Sequence, residues 1–426
     1  MVRVKLNKIF CGSPGPGRIG TEVELAPLDP VTGQVIGYGG ARGLAAFLTL
    51  CAGEFDAKPL VERDSMVGLA LPDGSKISLE NGGAVEFSSP PMPRLSELTS
   101  LLGDALKRLA AIADELGFAL VPGANLPFTK IQDIFWVPNA RGQILREHFA
   151  HQGPQSAYGP EVMALTTSTQ ATFDYDSPDD LMDKVRALSA VSTIAAALFV
   201  NSPLAGGKPT GYLSERMRYW AAIDPERTGP LPAGLDPHST LDDLIAWAVK
   251  VPMLYSKSPD GHAQSVHRPF SELAGQASEE DWFAHLSQIW TDVRVRQTIE
   301  ARSLDGPPAG AIAAVPAFWT GLVYSTQARL AARELAGPAT IADHRAAWKD
   351  IARRGLEAHW LGHPIRPIAT ELLTIAETGL REVEPDALPL LEPLREILQS
   401  GQTFAERTLA HWHGDPASYI ATARLH

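Results

Sequence analysis

The sequence predicts an α+β fold built on a largely antiparallel sheet, because strand-like segments occur as hairpins and separate runs rather than in regular alternation with helices. The clearest hairpin pairs residues 66–71 with residues 76–79 through the turn sequence PDGS. From residue 316 onward the chain is mostly amphipathic helix. No internal repeat or linker divides the sequence, so we expect residues 1–426 to form one domain.

The first predicted strand, RIGTEVEL at residues 18–25, carries two glutamates. Side chains alternate between the two faces of a strand, so Glu22 and Glu24 point one way and the residues beside them point the other way. A second carboxylate-bearing strand follows in SLENGGAVEFS, where Glu80 and Glu86 flank two glycines. Glycines in a strand indicate a bulge or the close approach of another group.

Helices are predicted between and after these strands. Residues 95–116 carry apolar side chains at helical spacing, and Ser177 starts an apolar helix that ends before Asn201. The shorter predicted helices are residues 44–51, 240–256 and 280–290.

Two further predicted strands carry polar side chains. The Thr-rich segment 163–174 is expected to place Gln170 and Thr172 on one face. The segment VRVRQTIEAR, residues 293–302, has arginines at alternate positions and is interpreted as a single strand.

Composition excludes several classes of function. A formal net charge of −12 argues against nucleic-acid binding, which requires clustered Lys and Arg. Cys11 and Cys51 are too few for a disulfide framework or a four-thiolate zinc site, and they fit a reducing compartment. The N-terminus lacks the features of a secretory signal, and the most apolar stretch, residues 191–200, is far short of the about 20 residues that cross a bilayer. We therefore expect a soluble, cytoplasmic protein that binds neither nucleic acid nor membrane.

Four glutamates on predicted strands, Glu22, Glu24, Glu80 and Glu86, need a positive partner. If they faced one pocket unpaired, repulsion and desolvation would raise their pKa values and destabilise the fold. Arginines or divalent cations would both meet this need. Carboxylate oxygens with few His or Cys nearby suit Mg²⁺ or Mn²⁺ rather than zinc.

A fifth carboxylate, Glu300, lies in the same segment as Arg294, Arg296 and Arg302. Cations that alternate along a strand with a carboxylate suit a nucleotide polyphosphate held through both metal and guanidinium groups.

Each pattern also has a simpler interpretation. A single E-x-E strand usually faces solvent on an antiparallel sheet, and Arg216 or Arg227 alone would more often form surface ion pairs. His411 and His413 are interpreted as exposed C-terminal histidines. The solvent interpretation is weakened because three separate strands carry the same pattern.

Several motifs together resemble the glutamate-cysteine ligases of the plant and proteobacterial type. That family includes the ergothioneine-pathway ligase of actinobacteria and belongs to the glutamine synthetase fold superfamily. RIGTEVEL resembles the family's R-I-G-x-E-x-E, SLENGGAVEFS resembles S-L-E-P-G-G-Q-x-E-L-S, and VRVRQTIEARSLDG resembles R-x-K-x-x-L-E-x-R-x-x-D-G. The longest match is NSPLAGGKPTGYLSERMRYWAAIDPERTG, residues 201–229. The resemblance runs from about Arg18 to His413 and implies a curved, largely antiparallel sheet with helices packed around it, a glutamine synthetase-like catalytic fold.

The resemblance implies an enzyme that uses ATP to phosphorylate the side-chain carboxylate of glutamate. The amine of cysteine then attacks the γ-glutamyl phosphate and releases phosphate. Two or three Mg²⁺ ions, or Mn²⁺, would accompany the ATP. Their implied ligands are Glu22, Glu24, Glu80, Glu86, Glu300 and the neutral Gln170.

The resemblance also assigns binding roles to residues of the longest motif and of the arginine-bearing segment. Arg216, with Trp220 beside it, would hold the α-carboxylate of glutamate, and Arg227 would join them in binding the substrate. The implied nucleotide-binding residues are Lys208, Arg294, Arg296 and Arg302. The implied catalytic residues at the transferred phosphate are Arg294, Arg302 and Glu300.

The chain departs from the family pattern at positions near these motifs. Asn81 and Ala84 replace Pro and Gln of the glycine-rich turn, and Leu165 and Thr172 replace Arg and Asn of the Thr-rich strand. Three hypotheses therefore stand: a ligase of glutamate and cysteine, the same chemistry with another amine or acid in a specialised pathway, and a non-catalytic nucleotide-binding homologue.

Overall fold

The computed structural model describes residues 6–7, 9–12, 17–62, 64–257, 263–273 and 277–426. Within them, nine strands form one central sheet in which every pairing is antiparallel, as the sequence predicts. These strands are β1 (Ile19–Leu28), β2 (Lys58–Glu62), β3 (Ser65–Ala70), β4 (Lys76–Leu79), β5 (Val85–Ser88), β6 (Ala119–Pro122), β7 (Thr169–Phe173), β8 (Val293–Val295) and β9 (Ile299–Ala301). Their order is β8-β9-β7-β1-β5-β4-β3-β2, and β6 also pairs with β1.

Strand β1 lies at the middle of the sheet and has partners along both edges. Residues 19–23 pair with β7 and residues 25–28 pair with β6, while β5 pairs along the other edge. Val23 and Leu25 are fully buried, whereas Glu22 and Glu24 are half-buried on the opposite face. The predicted alternation of β1 is therefore confirmed, and one face of the sheet carries the carboxylates.

Helices pack around this sheet. In the described part of the chain they are α1 (Leu44–Glu54), α2 (Leu95–Glu115), α3 (Ala140–Gln152), α4 (Gly159–Leu165), α5 (Pro178–Phe199), α6 (Glu215–Trp220), α7 (Pro232–Leu235), α8 (Leu241–Ala248), α9 (Glu279–Leu286), α10 (Ala314–Tyr324), α11 (Thr326–Ala336), α12 (Ile341–Arg354), α13 (Ile365–Val383), α14 (Glu392–Ser400), α15 (Phe404–His411) and α16 (Pro416–Ala423). The C-terminal part beyond residue 316 is mostly helical, as predicted.

The main hydrophobic core lies between the apolar face of the sheet and the helices. Phe87 of β5 and Phe173 of β7 are fully buried there, together with Leu188 of α5 and Phe318 and Trp319 of α10. Full burial of one such side chain stabilises the fold by about 1.5–3 kcal/mol. The core therefore fixes one face of the sheet and leaves the other face available for polar groups.

Short strand pairs lie outside the central sheet. They are Leu204–Ala205 with Lys208–Pro209, Thr228–Gly229 with Trp290–Thr291, Pro252–Lys257 with Ala263–Pro269, and His359–Trp360 with His363–Pro364.

Two predicted segments differ from the structure. The expected single strand 293–302 is the hairpin β8–β9, whose turn is closed by a hydrogen bond from Arg296 N–H to Thr298 O (2.9 Å). The expected helix 240–256 ends at Ala248 and is followed by a strand from Pro252, because proline lacks the N–H that a helix interior needs.

Two other predicted elements are longer than the elements in the structure. The Thr-rich segment begins as the end of α4 and becomes strand β7 at Thr169, and the helix expected at 280–290 ends at Leu286.

In the described ranges, no single helix is both long and apolar enough to cross a bilayer. Ala309–Tyr324 and Thr326–Ala336 meet the length and composition requirement only when taken together, across a 98° bend.

Candidate active site

Carboxylates from neighbouring strands meet on the polar face of the sheet because of the strand register. Glu24 of β1 is directly opposite Glu86 of β5, and Glu22 lies between Ser88 of β5 and Gln170 of β7. Side chains at directly opposite positions share a face of the sheet. The register thus brings together polar residues that are more than 140 positions apart in sequence.

Three of these carboxylates form a compact cluster. Glu24, Glu80 and Glu86 each offer one oxygen, and the three oxygens lie within 4.8 Å of one another. Glu86 is oriented by the hydroxyl groups of Ser78 and Ser88, which donate to its Oε1 at 3.0 and 2.9 Å. We call Glu24, Glu80 and Glu86 the carboxylate cluster.

The glycine-rich turn after β4 positions Glu80. A Cβ atom on Gly82 would stand 1.9 Å from Ala164 O, and Gly83 has a φ of +95°. Both positions therefore require glycine, one because the turn is pressed against the end of α4 and the other because of its backbone conformation.

Burial and mutual repulsion raise the pKa values of these acids. The pKa of Glu22 rises to about 7, chiefly because of burial and then because of the nearby charges of Glu86 and Glu300. Burial is likewise the largest cause of the raised pKa values of Glu24, Glu80 and Glu86. Oxygen ligands that repel one another in this way are the donor set that hard divalent cations such as Mg²⁺ prefer, so these residues fit the predicted metal.

Glu300 has a different environment, because three guanidinium groups surround it. Arg294 Nε donates to Oε2 at 2.5 Å and Arg296 Nε donates to Oε1 at 2.6 Å, while Arg302 Nη1 lies 3.4 Å from Oε2. Burial alone would raise the pKa of Glu300, but the three arginines lower it to about 2. The metal-ligand role of Glu300 stays a prediction. The three side-chain hydrogen bonds described above for Glu300 are all with arginines.

Gln170 connects the carboxylates to the arginines. Its Nε2 donates to Glu24 Oε1 at 3.3 Å and to Ser168 Oγ at 3.0 Å, and its Oε1 accepts a hydrogen bond from Arg302 at 2.6 Å. Gln170 is buried and touches both groups, and its role as a metal ligand stays a prediction.

Arg216 and Trp220 lie one helical turn apart on α6 and line the same cavity as the glutamates. Ser214 caps this helix by accepting a hydrogen bond from Met217 N–H, so the helix begins one residue before Arg216. The Arg216 guanidinium donates to Arg302 O at 3.0 Å and lies 6.0 Å from the Trp220 ring centre.

Arg227 and Lys208 are not brought to the glutamates. Arg227 is buried in an ion pair with Asp224 (2.6 Å) and donates to Gln288 O (3.2 Å). Lys208 is exposed and lines a separate surface depression that also contains Lys130 and Glu161. Their predicted binding roles stay predictions.

Two cavities meet at this site. The carboxylate cavity, about 330 Å³, is lined by Glu22, the carboxylate cluster and the guanidinium groups of Arg216, Arg294 and Arg302. The outer cleft, about 1160 Å³, is lined by Glu300 and by basic residues that include Arg18 and Lys76. Glu22 and Arg296 belong to both walls, so they mark the junction between the cavities.

The carboxylate cavity also contains residues that sequence reasoning did not assign to it, Arg141 and Tyr255. Arg141 lies in the first turn of α3, which Asn139 caps. Residues 139–142 stand where the family pattern has K-G-R-Y, and this departure is the sequence signal for Arg141. Tyr255 lies on a strand where the sequence predicts a helix, so no signal pointed to it.

The departures from the family pattern have different environments. Ala84 and Leu165 are buried in one small hydrophobic cluster with Leu126. Thr172 lines the outer cleft. Asn81 accepts a hydrogen bond from Asn139 Nδ2 at 3.3 Å, which joins the glycine turn to the start of α3.

Two solved structures have a fold similar to that of this chain. A glutamate-cysteine ligase from Francisella tularensis, in complex with AMP, aligns with a TM-score of 0.60 and 12% identity over 97% of this chain and 89% of that one. A bifunctional glutathione synthetase from Pasteurella multocida aligns with a TM-score of 0.51 and 14% identity over 99% of this chain and 54% of that one. At such identities these likenesses show the fold.

The chain belongs to the glutamate-cysteine ligase family 2, whose profile matches residues 18–421. Chloroplastic glutamate-cysteine ligases of Brassica juncea and Arabidopsis thaliana are each 30% identical over 414 residues, which is 95% of this chain and 79% and 78% of the relatives. The predicted family and enzyme class, a carbon-nitrogen ligase, are confirmed. The expected cytoplasmic location is contradicted, because these curated relatives are named as chloroplastic enzymes.

Proposed function

We propose that the protein uses ATP to join the side-chain carboxylate of L-glutamate to the amine of L-cysteine, giving γ-glutamylcysteine, ADP and phosphate. The relatives in the family support this reaction by name, and the product would feed glutathione biosynthesis. Residues 1–426 would act as one catalytic domain.

One observation carries the proposal. The carboxylate cavity and the outer cleft meet at Glu22 and Arg296, and both are lined by carboxylates and by guanidinium groups. A phosphoryl transfer needs a nucleotide and an acceptor acid on two sides of one charged junction. The larger outer cleft, about 1160 Å³, suits ATP, and the smaller carboxylate cavity, about 330 Å³, suits glutamate.

The metal-binding step rests on the carboxylate cluster. Glu24, Glu80 and Glu86 would hold one Mg²⁺ or Mn²⁺, with Glu22 and Gln170 beside them and Glu300 as a further predicted ligand. When bound, such ions neutralise charge on the transferred phosphoryl group.

The substrate acid would be held by Arg216. Arg216 is 5% exposed, and its guanidinium donates to the carbonyls of Arg302 and Ser303 and lies 3.8 Å from the Asp305 carboxylate. Its remaining donors would bind the α-carboxylate of glutamate. Trp220 would pack beside the same substrate.

Arginines at the junction would stabilise the transferred phosphate. Arg294, Arg296 and Arg302 already lie around one carboxylate, Glu300, which holds their guanidinium groups close together against mutual repulsion. Fixed cations in this position act on charge that develops in the transition state. Lys208 would contact the nucleotide only if the substrate-bound state brings its segment closer.

The same chemistry with a different amine or acid is the second candidate. Ala84 and Leu165, which motivate it, are buried together rather than exposed to substrate. Thr172 lines the outer cleft, so this replacement supports the alternative.

A coupled assay for ADP tests the proposal. The purified protein with Mg²⁺ and ATP should release ADP only when both glutamate and cysteine are present. A panel of other amines and acids, run in parallel, identifies the second candidate if it gives faster release. Absence of ADP release with every pair, together with no Mg-ATP binding by calorimetry, would establish a non-catalytic homologue instead.

A further inference from the structure

A third cavity, of about 220 Å³, adjoins the carboxylate cavity, and we call it the inner pocket. The two cavities share the wall residues Arg216, Trp220, Trp290 and Arg302. Pockets for drug-sized ligands have volumes of about 300–1,000 Å³, so the inner pocket is suited to a smaller molecule.

The inner pocket is lined by groups of both charges. Asp292 lies in its wall, and α12 contributes Arg345, Trp348 and Lys349. A zwitterionic amino acid needs an anion for its ammonium group and cations for its carboxylate. Trp348 and the shared Trp220 provide an apolar surface for a short side chain.

The backbone around Asp292 is fixed by hydrogen bonds to two other parts of the site. Its N–H donates to Gly229 O at 2.8 Å, and its carbonyl accepts from Arg302 N–H at 2.9 Å. Asp292 is therefore tied to the chain that carries Arg302, which is one of the predicted phosphate-binding residues.

The charges that face Asp292 come from three different elements. Burial raises its pKa, and the guanidinium groups of Arg216, Arg345 and Arg302 lower it, with a result of about 7. His344 and Lys349 are the other titratable side chains in the same wall. A carboxylate that titrates near neutral pH is well matched to general-base catalysis.

We propose that the inner pocket receives the acceptor amino acid and that Asp292 accepts a proton from its ammonium group. This inference rests on the proposed function and extends it, because it assigns the acceptor site and a catalytic base. The acceptor is a small amino acid whose carboxylate is bound by Arg345 and Lys349.

In the proposed step, the amine of the acceptor replaces phosphate on the γ-carbon of the glutamyl phosphate. The Asp292 carboxylate takes one proton from the ammonium group, which leaves a neutral amine. The amine nitrogen forms a bond to the γ-carbonyl carbon of the glutamyl phosphate, the bond from that carbon to the phosphate oxygen breaks, and phosphate leaves with the electron pair. The second N–H proton goes to the departing phosphate, and a neutral amide results.

Comparison of two nucleophiles tests the role of Asp292. Cysteine has a protonated amine at neutral pH, whereas hydroxylamine is unprotonated and needs no base. Asp292→Asn should lower the cysteine-dependent rate by about 10²–10⁴-fold, the usual contribution of a general base, while hydroxylamine-dependent ADP release falls far less. The limb of the wild-type pH profile near 7 should disappear, and higher pH should partly restore the reaction with cysteine.

The matched control is Asp386→Asn, an exposed aspartate in the C-terminal helical part, which should leave both rates unchanged. Equal losses with both nucleophiles, or no loss with either, would overturn the role of Asp292. If the wild-type protein releases ADP with neither nucleophile, the proposed function itself fails, and the two failures are thus distinguishable.

A second variant tests the pocket without altering Asp292. Ala221 is exposed, has a helical backbone conformation and lines the inner pocket. Ala221→Phe should fill the pocket and raise the KM for cysteine, with the KM values for glutamate and ATP unchanged. An unchanged KM for cysteine, or an equal rise for glutamate, would contradict the assignment of the pocket.

Discussion

Glu24 on β1 and Glu86 on β5 face each other directly across an antiparallel pair. Like charges at such positions destabilise a sheet, and burial raises the pKa values of both residues. Hydrogen bonds from Ser78 and Ser88 to Glu86 offset only part of this cost. We therefore expect that removing one of these two charges stabilises the metal-free protein, whereas removing the charge of Glu300 destabilises it.

Glu24→Gln should raise the melting temperature of the metal-free protein, because it removes one of the repelling charges from the carboxylate cluster. It should also abolish the stabilisation by Mg²⁺ and reduce ADP formation by at least about 100-fold, since a bound metal ion supplies several kcal/mol of transition-state stabilisation. Thermal melting with and without Mg²⁺, and the coupled assay, measure both effects. Glu371→Gln, on the exposed surface of α13, is the control. Near-normal turnover of Glu24→Gln would disprove the metal site.

The metal-free protein should lose stability as the pH rises from about 5 to about 7. The pKa of Glu22 is raised from 4.5 to about 7 in the folded state, so the folded protein binds more protons than the unfolded chain in this interval. Stability then falls with rising pH. Urea denaturation in the presence of EDTA at several pH values measures the slope. Glu22→Gln should flatten it, and an unchanged slope in that variant would exclude Glu22 as its source.

Glu300→Gln should destabilise the protein by about 3–5 kcal/mol, the usual result of removing one partner from a buried ion pair. Glu300 is 1% exposed and balances three arginines. Urea denaturation of the metal-free protein measures the loss. A gain in stability, as expected for Glu24→Gln, would mean that Glu300 belongs with the repelling carboxylates rather than with the arginines.

Arg216→Lys should raise the KM for glutamate and lower kcat/KM by about 10–100-fold, because lysine cannot reproduce the planar, bidentate contact of a guanidinium with a carboxylate. Steady-state kinetics with varied glutamate measure this loss. The control is Arg218→Lys on the same helix, where the side chain pairs with Glu215 at 3.0 Å and faces the Tyr158 ring. Equal effects of the two substitutions would contradict a substrate contact by Arg216.

The parts of the site that the sequence predicts are those fixed by local backbone geometry. The two-residue period of a strand places Glu22 and Glu24 on one face wherever the strand lies in the sheet, and the glycines mark the turn that brings Glu80 close. By contrast, the turn at residues 296–298 contains neither Gly nor Pro, so the hairpin that makes Arg294 and Glu300 cross-strand partners could not be distinguished from one strand.

The remaining differences depend on contacts between distant parts of the chain. Arg227 and Lys208 come from the motif with the longest family match, yet their side chains are directed to Asp224 and to the surface. Asp292 carries no motif signal, because its environment is formed by packing of α6, α12 and the segment around Arg302. Ala84 and Leu165 look like changes of specificity in sequence, and only the structure places them in one hydrophobic cluster.

Strand β1 is hydrogen-bonded to neighbours along both of its edges. Same-face residues on such a strand are about 6.4–6.8 Å apart, so the spacing of Glu22 and Glu24 does not adapt to a bound molecule. In the proposed reaction, the two carboxylates would therefore offer metal ligands at a fixed spacing, whichever acid occupies the cavity beside them.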